Sequence, residues 1–594
     1  MKIFCHVPLQ SSRSFRLVRL LPSADFDSEI EVELFEASLD DHPPYEALSY
    51  TWGARHGTQP IVCNGFRFLV TPNCESAMRH LRKDRLLWID SICIDQSNDG
   101  LVERDVQVPL MGEIYSKAVS TLCWLGPGLE YTSAVMRLID QIGECPSQRG
   151  VSKLLRLEES LNLQGSCLDH IYCAPWHTRI WTVQEVAFAS NCQVLMGHSS
   201  VSWEHYSSAG KDLLYESDVP GSDVATANSI VSVDVRDLLR EQLAGKEVCK
   251  ATLTSCLTEM NQFKATDPRD KIYGLYAMYA KLGVPFAPVD YSKSVVEVYT
   301  NAASALMEWS GSLNMLQDAC SIRRDSDLPS WVPDWNDGEM RIPMSPHWKA
   351  TMGSSSHAAL DGHGRLRARG IVIGEVAHLH LSFPIDKKAI QLESQGDEGD
   401  TLRSLIEQIE FFRGLRQYLS DDELFHDILS LDQALEREEL WELWLEVMAY
   451  PECEQDLNDG RAIAEAWKAA DETETWSVEL LQCATIAASL LQRSLRNVDP
   501  TTQESLLDII KEVQGYLSRR TVATVQLSDR EVLGVVFCKS QTGDQIVLLE
   551  GLGWPAVLRS KDKVWTFVGA AFVMGVMNGE AWPGNGAMSD FLLV

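Results

Sequence analysis

The side chains best able to do chemistry gather in three short blocks within the first third of this 594-residue chain. They are Tyr45-Glu-Ala-Leu-Ser-Tyr-Thr-Trp-Gly53, Leu87-Trp-Ile-Asp-Ser-Ile-Cys-Ile-Asp-Gln96 and Trp176-His-Thr-Arg-Ile-Trp-Thr-Val-Gln-Glu185. In the third block Trp181 and Glu185 stand four residues apart, a spacing that puts an aromatic ring and a carboxylate on one helix face, toward one pocket. In the second, Asp90 follows a buried-strand pattern, and the carboxyl end of a strand is where α/β folds present ligand-binding groups. Arg179 has two readings, a bidentate clamp on a phosphate or a scaffold bridge to Asp90, and the bridge is preferred. Structural readings stand beside the others too: Glu185 as a brace of its own helix, and Trp181 and Tyr50 as core aromatics. Glu103 and Arg104 would form a helix-start ion pair worth less than ~1 kcal/mol.

Other chemistries are absent from the pattern. There is no Gly-rich phosphate loop, which excludes P-loop nucleotide hydrolysis, and no Ser-His-Asp or Cys-His arrangement. Cys167, His170, Cys173 and His177 match no common zinc frame, so no metal site is expected. With 52 Lys plus Arg against 84 Asp plus Glu, the formal net charge is −32. Such a field repels phosphate backbones and anionic lipid, and the densest basic stretches, Arg79 to Arg85 and Arg365 to Arg369, are short and interrupted. No nucleic-acid partner is expected. The 15 cysteines are odd in number and include no Cys-x-x-Cys pair, which fits a reducing compartment. The first residues lack the apolar core of a secretory signal, and the apolar run from Val564 to Met577 falls short of the ~20 residues that span a bilayer. The expectation is a cytoplasmic chain with no membrane span.

These side chains need a scaffold. A chain of this length exceeds one hydrophobic core, and its 45% hydrophobic content is that of a folded protein. Residues 1–205 read as an α/β domain: Arg16–Leu21 and Ile30–Phe35 pattern as strands, and Ala47–Tyr50, Leu87–Ile89 and Leu122–Leu125 as strands buried on both faces. Thr71 and Pro72 cap and open a helix. Val106, Leu110, Ile114 and Ala118 mark another, which Pro109 should delay or kink. Residues 206–355 read as a mainly helical bracing region containing Ala265-Thr-Asp-Pro-Arg-Asp-Lys-Ile-Tyr-Gly-Leu275, with Tyr273 and Leu275 on its apolar side. Residues 356–594 read as an α+β region. In it Gly364–Gly374, Glu531–Phe537 and Gln545–Leu549 pattern as strands, acidic helical segments fill roughly 400–520, and Leu431–Tyr450 is either an amphipathic helix or a partner surface.

In order and separation, the three blocks resemble the fungal heterokaryon incompatibility (HET) domain, whose members take part in non-self recognition and programmed cell death. The stretches at 265–275, Asp290-Tyr-Ser-Lys293 and Leu328-Pro-Ser-Trp-Val-Pro-Asp-Trp335 resemble those that often follow its third block, and the C-terminal end resembles a β module attached to many such proteins. The blocks also resemble those of TIR domains: Leu48-Ser-Tyr50 stands at the first box, Ile89-Asp90 at the second strand, and Trp181-Thr-Val-Gln-Glu185 keeps the Trp-to-Glu spacing of the third. Thr182 replaces the TIR cysteine, a departure expected to touch packing more than charge. The resemblance implies a TIR-like, flavodoxin-like parallel sheet and NAD as a substrate, with no bound cofactor. Glu185 would be the catalytic residue of nicotinamide–ribose cleavage, stabilising an oxocarbenium-like transition state. Tyr50 and Trp181 would pack the substrate, Ser49, Trp52 and Gly53 would wall the pocket, and Asp90 and Arg179 would complete it. It also implies self-association through the TIR-like domain and protein partners in cell-death signalling. The alternative is a non-enzymatic module that recruits partners through the same surface.

Overall fold

The computed structural model describes residues 2–53, 57–97, 101–144, 167–215, 224–243, 245, 263–320, 327–336, 348–382, 520–584 and 588–594. The chain divides into two compact units, one of Met1–Ser310 with Asp334–Met340, the other of Gly311–Pro333 with Arg341–Val594.

The first unit is built on a nine-stranded mixed sheet among the described residues. Its strands are β1 (Ser14–Leu20), β2 (Glu31–Ser38), β3 (Glu46–Tyr50), β4 (Gln59–Cys63), β5 (Phe66–Val70), β6 (Arg85–Trp88), β7 (Ser120–Gly126), β8 (Cys192–Met196) and β9 (Ser199–Ser202). They lie in the order β5-β4-β2-β1-β6-β3-β7-β8-β9. The centre, β6-β3-β7-β8, is parallel. Every residue of β7 is buried, as a parallel strand covered on both faces requires. The flanks depart from a wholly parallel sheet, because β1 runs antiparallel to both β2 and β6, β4 to β5, and β8 to β9. For the β4–β5 pair the connection is short: Asn64 and Gly65, at φ 50° and 79°, form the tight two-residue turn that joins β4 directly to its antiparallel neighbour.

The helices of this unit are α1 (Pro72–His80), α2 (Asp90–Cys93), α3 (Leu101–Lys117), α4 (Thr132–Glu144), α5 (Cys167–Tyr172), α6 (Trp181–Ala187), α7 (Trp203–Tyr215), α8 (Val224–Leu243), α9 (Asp270–Tyr273), α10 (Tyr276–Lys281) and α11 (Val295–Ser310). Thr71 caps α1 by accepting from the Cys74 amide at 3.3 Å, with Pro72 in the first turn. Ser294 and Glu297 form a reciprocal capping box at the start of α11, at 3.2 and 3.0 Å. Contrary to the expectation of a delayed start, α3 runs through Pro109. Glu103 pairs not with Arg104 but with the buried Arg16, through contacts of 2.7 and 2.9 Å. Arg104 instead stacks on Tyr291.

The second unit carries β10 (Ala359–Leu360), β11 (Leu366–Ser382), β12 (Arg520–Leu527), β13 (Glu531–Phe537), β14 (Gln545–Leu549), β15 (Ala556–Lys561), β16 (Val564–Val573) and β17 (Ser589–Leu593). Pairing proceeds β11-β12-β13-β16-β15-β14 and returns from β14 to β11, so these strands close into an antiparallel ring. The long β11 serves both neighbours: Gly374 faces Leu527 on one side and Ile546 on the other, and near its end Ser382 pairs with Thr521. Val376, Ala523, Val525, Ile546, Leu548, Val557 and Val573 fill the interior. The acidic segments at 400–520, apart from the start of β12, and the stretch Leu431–Tyr450 lie outside the described residues.

Candidate functional site

The parallel centre of the first sheet ends β3 and β6 side by side, and the residues that follow them meet α6. Asp90 opens α2, where its Oδ1 accepts the Ser91 amide at 2.7 Å. Its Oδ2 accepts the indole N–H of Trp52 at 2.8 Å and faces Arg179 Nη2 at 3.7 Å. Arg179 lies over the Trp52 ring, 5.5 Å from its centre, and its other guanidinium nitrogen donates to the Tyr50 carbonyl. The bridge reading of Arg179 therefore describes its contacts. Gly53, next along the loop, has φ of 72°, a conformation open to glycine without strain.

Behind this group lies a buried polar chain. The Trp176 indole donates to the Ser49 hydroxyl at 2.8 Å, and that hydroxyl donates to the Glu185 carboxylate. Glu185 is 1% exposed and Ser49 0%. Burial pushes the Glu185 carboxyl up to about 7, with Arg179 opposing the rise and Asp90 adding to it. Burial likewise raises Asp90, against the pull of Arg179. The arrangement is two buried carboxyls beside one guanidinium, of which Glu185 is able to move a proton near neutral pH or to hold a cationic group once ionised.

Tyr50 is buried, and its hydroxyl donates to Ser91 at 2.6 Å, beneath α2. Trp181 and Glu185, one turn apart on α6, have different partners: the Trp181 indole donates to Asp270 at 3.3 Å while Glu185 is held by Ser49. Ser49, Trp52, Asp90, Arg179 and Glu185 are thus brought together, Tyr50 joins them through its carbonyl, and Trp181 turns to α9. Among the described residues no group of three or more His, Cys, Asp or Glu side chains is placed to hold a metal ion. The His177 ring is buried against the Tyr206 hydroxyl at 2.9 Å.

The family model described as "Heterokaryon incompatibility protein (HET)" matches residues 45–185, from the start of the first block to Glu185 itself. The chain carries a HET domain. The protein is also similar to "Heterokaryon incompatibility protein 6, OR allele" of Neurospora crassa, 25% identical over 398 residues, or 55% of this chain and 58% of that relative. The chain thus spans less than two thirds of the length of this relative. No solved structure matches.

Two residues beyond position 185 contact side chains of the third block, and sequence reasoning assigned neither a role there. Arg236 of α8 is fully buried, stacks 4.8 Å from the Trp176 ring and donates to the Thr182 hydroxyl at 2.7 Å. Position 182 is therefore an acceptor for a buried charge, and not only a packing position. No local pattern marks Arg236: Thr182 and the His177 carbonyl, to which it donates, are more than fifty positions away. Asp270 accepts from both Trp181 and Tyr291, and burial pushes its carboxyl up to about 6. Its signal was the 265–275 stretch, and Lys264, just before it, accepts from the Ile180 amide at 3.1 Å. Among the described residues no helix is long and apolar enough to cross a membrane.

Proposed function

We propose that this chain is a heterokaryon incompatibility protein acting in fungal non-self recognition and cell death, and that its HET domain is TIR-like and cleaves NAD between nicotinamide and ribose. The observation that carries the reading is the convergence of Trp52, Asp90, Arg179 and Glu185, from three separated blocks, at the carboxyl ends of β3 and β6. Strand ends of this kind are where α/β sheets receive nucleotides. Glu185, once ionised, is the group that stabilises an oxocarbenium-like ribose, and Arg179 is within reach of a phosphate if it leaves Asp90. Because Glu185 is covered by Ser49, the substrate reaches it only when that contact parts, and self-association is the event assigned to parting it.

The same burial favours a second reading, in which Glu185 is a structural group and the domain recruits partners without chemistry. The test is NAD loss by the purified full chain at low and high concentration, beside Glu185→Gln, together with killing by both forms in a fungal host. Loss that requires Glu185 and grows with concentration supports the hydrolase. Intact NAD under every condition, with killing unchanged by Glu185→Gln, leaves the recruiting module.

A further inference from the structure

Away from this site, a cavity of about 630 Å³ lies between α3, the turn after α6, α8 and α10. That is the size of a small-molecule pocket. The helices approach closely beside it: a Cβ at Gly112 would stand 2.7 Å from the Ala277 Cβ and 3.0 Å from the Phe188 ring. Its apolar walls come from Pro109, Phe188, Leu243 and Tyr276, and its charged groups are Glu113, Arg240 and Lys281.

The balance among those charges is informative. Glu113 is already engaged, accepting from Arg13 at 2.8 and 3.2 Å and facing Lys117 at 3.5 Å. Arg240 pairs with Glu204 at 3.1 Å through one nitrogen, while its buried Nη1 has no hydrogen-bond partner among the described residues. Lys281 has no acidic partner among the described residues. In a chain of net charge −32, this cavity therefore offers the Lys281 ammonium and one open guanidinium nitrogen of Arg240 beside an apolar surface. An ammonium and a guanidinium at the edge of apolar walls fit an anionic head on a hydrophobic body.

We propose that this cavity is a binding site for a small organic anion with an aromatic or aliphatic body. The probe is 8-anilinonaphthalene-1-sulfonate, titrated into the folded full chain and followed by fluorescence. The expected result is saturable binding at one site per chain, weakened at least tenfold by Lys281→Glu at the cavity rim and by Ala280→Trp, which fills the space. The neutral N-phenyl-1-naphthylamine should bind more weakly and ignore Lys281→Glu. Near-UV circular dichroism checks that each variant is folded, and if Ala280→Trp is not, the exposed Lys281→Glu decides alone. Equal affinity for the sulfonate in wild type and Lys281→Glu, binding at many sites, or equal affinity for the neutral amine would each overturn the proposal.

Discussion

The Ser49 hydroxyl donates to the Glu185 carboxylate, tying the strand of the first block to the helix that ends the third across 136 positions of sequence. Both groups are buried, and it is this burial, which the Ser49 hydrogen bond opposes, that gives Glu185 its response to pH. The pH response is the most direct check on it.

Glu185 has a carboxyl pushed up to about 7 from an ordinary 4.5. Between those values the native state keeps a proton that the unfolded chain has released, so stability falls as pH rises through this window and levels off above it. Asp90 and Asp270 shift in the same direction, and the contribution of Glu185 is therefore read as a difference. Glu185→Gln should flatten the loss between pH 4.5 and just above 7 by up to roughly 3 kcal/mol. Urea midpoints across that range test it, and parallel curves for the two proteins would refute the assignment.

Thr182 receives the guanidinium of Arg236 at 2.7 Å and donates to the Arg179 carbonyl at 2.7 Å. Thr182→Val keeps the shape and removes one acceptor of the buried guanidinium, which keeps the His177 carbonyl at 3.1 Å, at a cost of about 1–3 kcal/mol. Thr182→Ser should recover most of that. Chemical denaturation of the three proteins compares them, and a neutral Thr182→Val would mean that the hydroxyl contributes nothing to holding Arg236.

Gly143 lies on α4, where an added Cβ would stand 2.1 Å from the His205 carbonyl oxygen and 2.4 Å from its Cα. Both are backbone atoms of the start of α7 and cannot rotate away. Gly143→Ala should therefore cost about 1–3 kcal/mol by overpacking. The check is a lowered melting temperature; an unchanged one would show that the helices part without penalty.

In the closed ring, Leu548 is fully buried among Val376, Val525 and Val557. Leu548→Ala should destabilise by about 2–5 kcal/mol, the transfer loss plus the cavity left behind. Refilling with Met, close in volume, should cost less than about 1.5 kcal/mol. Denaturation curves that rank the two variants the other way would contradict close packing at this position.

Much of this scaffold was legible in short apolar runs. Ala47–Tyr50, Leu87–Ile89 and Leu122–Leu125 became the parallel strands β3, β6 and β7, because burial on both faces leaves a contiguous apolar signature. The β4–β5 hairpin was missed although Asn64-Gly65 announces it, the two residues being suited to the left-handed turn they form. Partner choice was harder to read. Nothing near Trp181 tells that its indole will find Asp270 and leave the face of Glu185, and nothing near Glu103 distinguishes the adjacent Arg104 from Arg16, 87 positions away. Such choices depend on where separate elements dock, which local periodicity does not encode. Ring closure is illegible for the same reason, since it pairs β11 with β14 across most of the second unit.

The pairing of Ser382 with Thr521 makes the chain leave and re-enter the ring at neighbouring points. Directly opposed antiparallel residues are only about 5 Å apart, a gap that a turn of a few residues can bridge. The pairing thus fixes only the two ends of what joins β11 to β12, and sets no length for it. The two ends act as a clasp, which holds the junction shut through the strand pairing and not through the span between them.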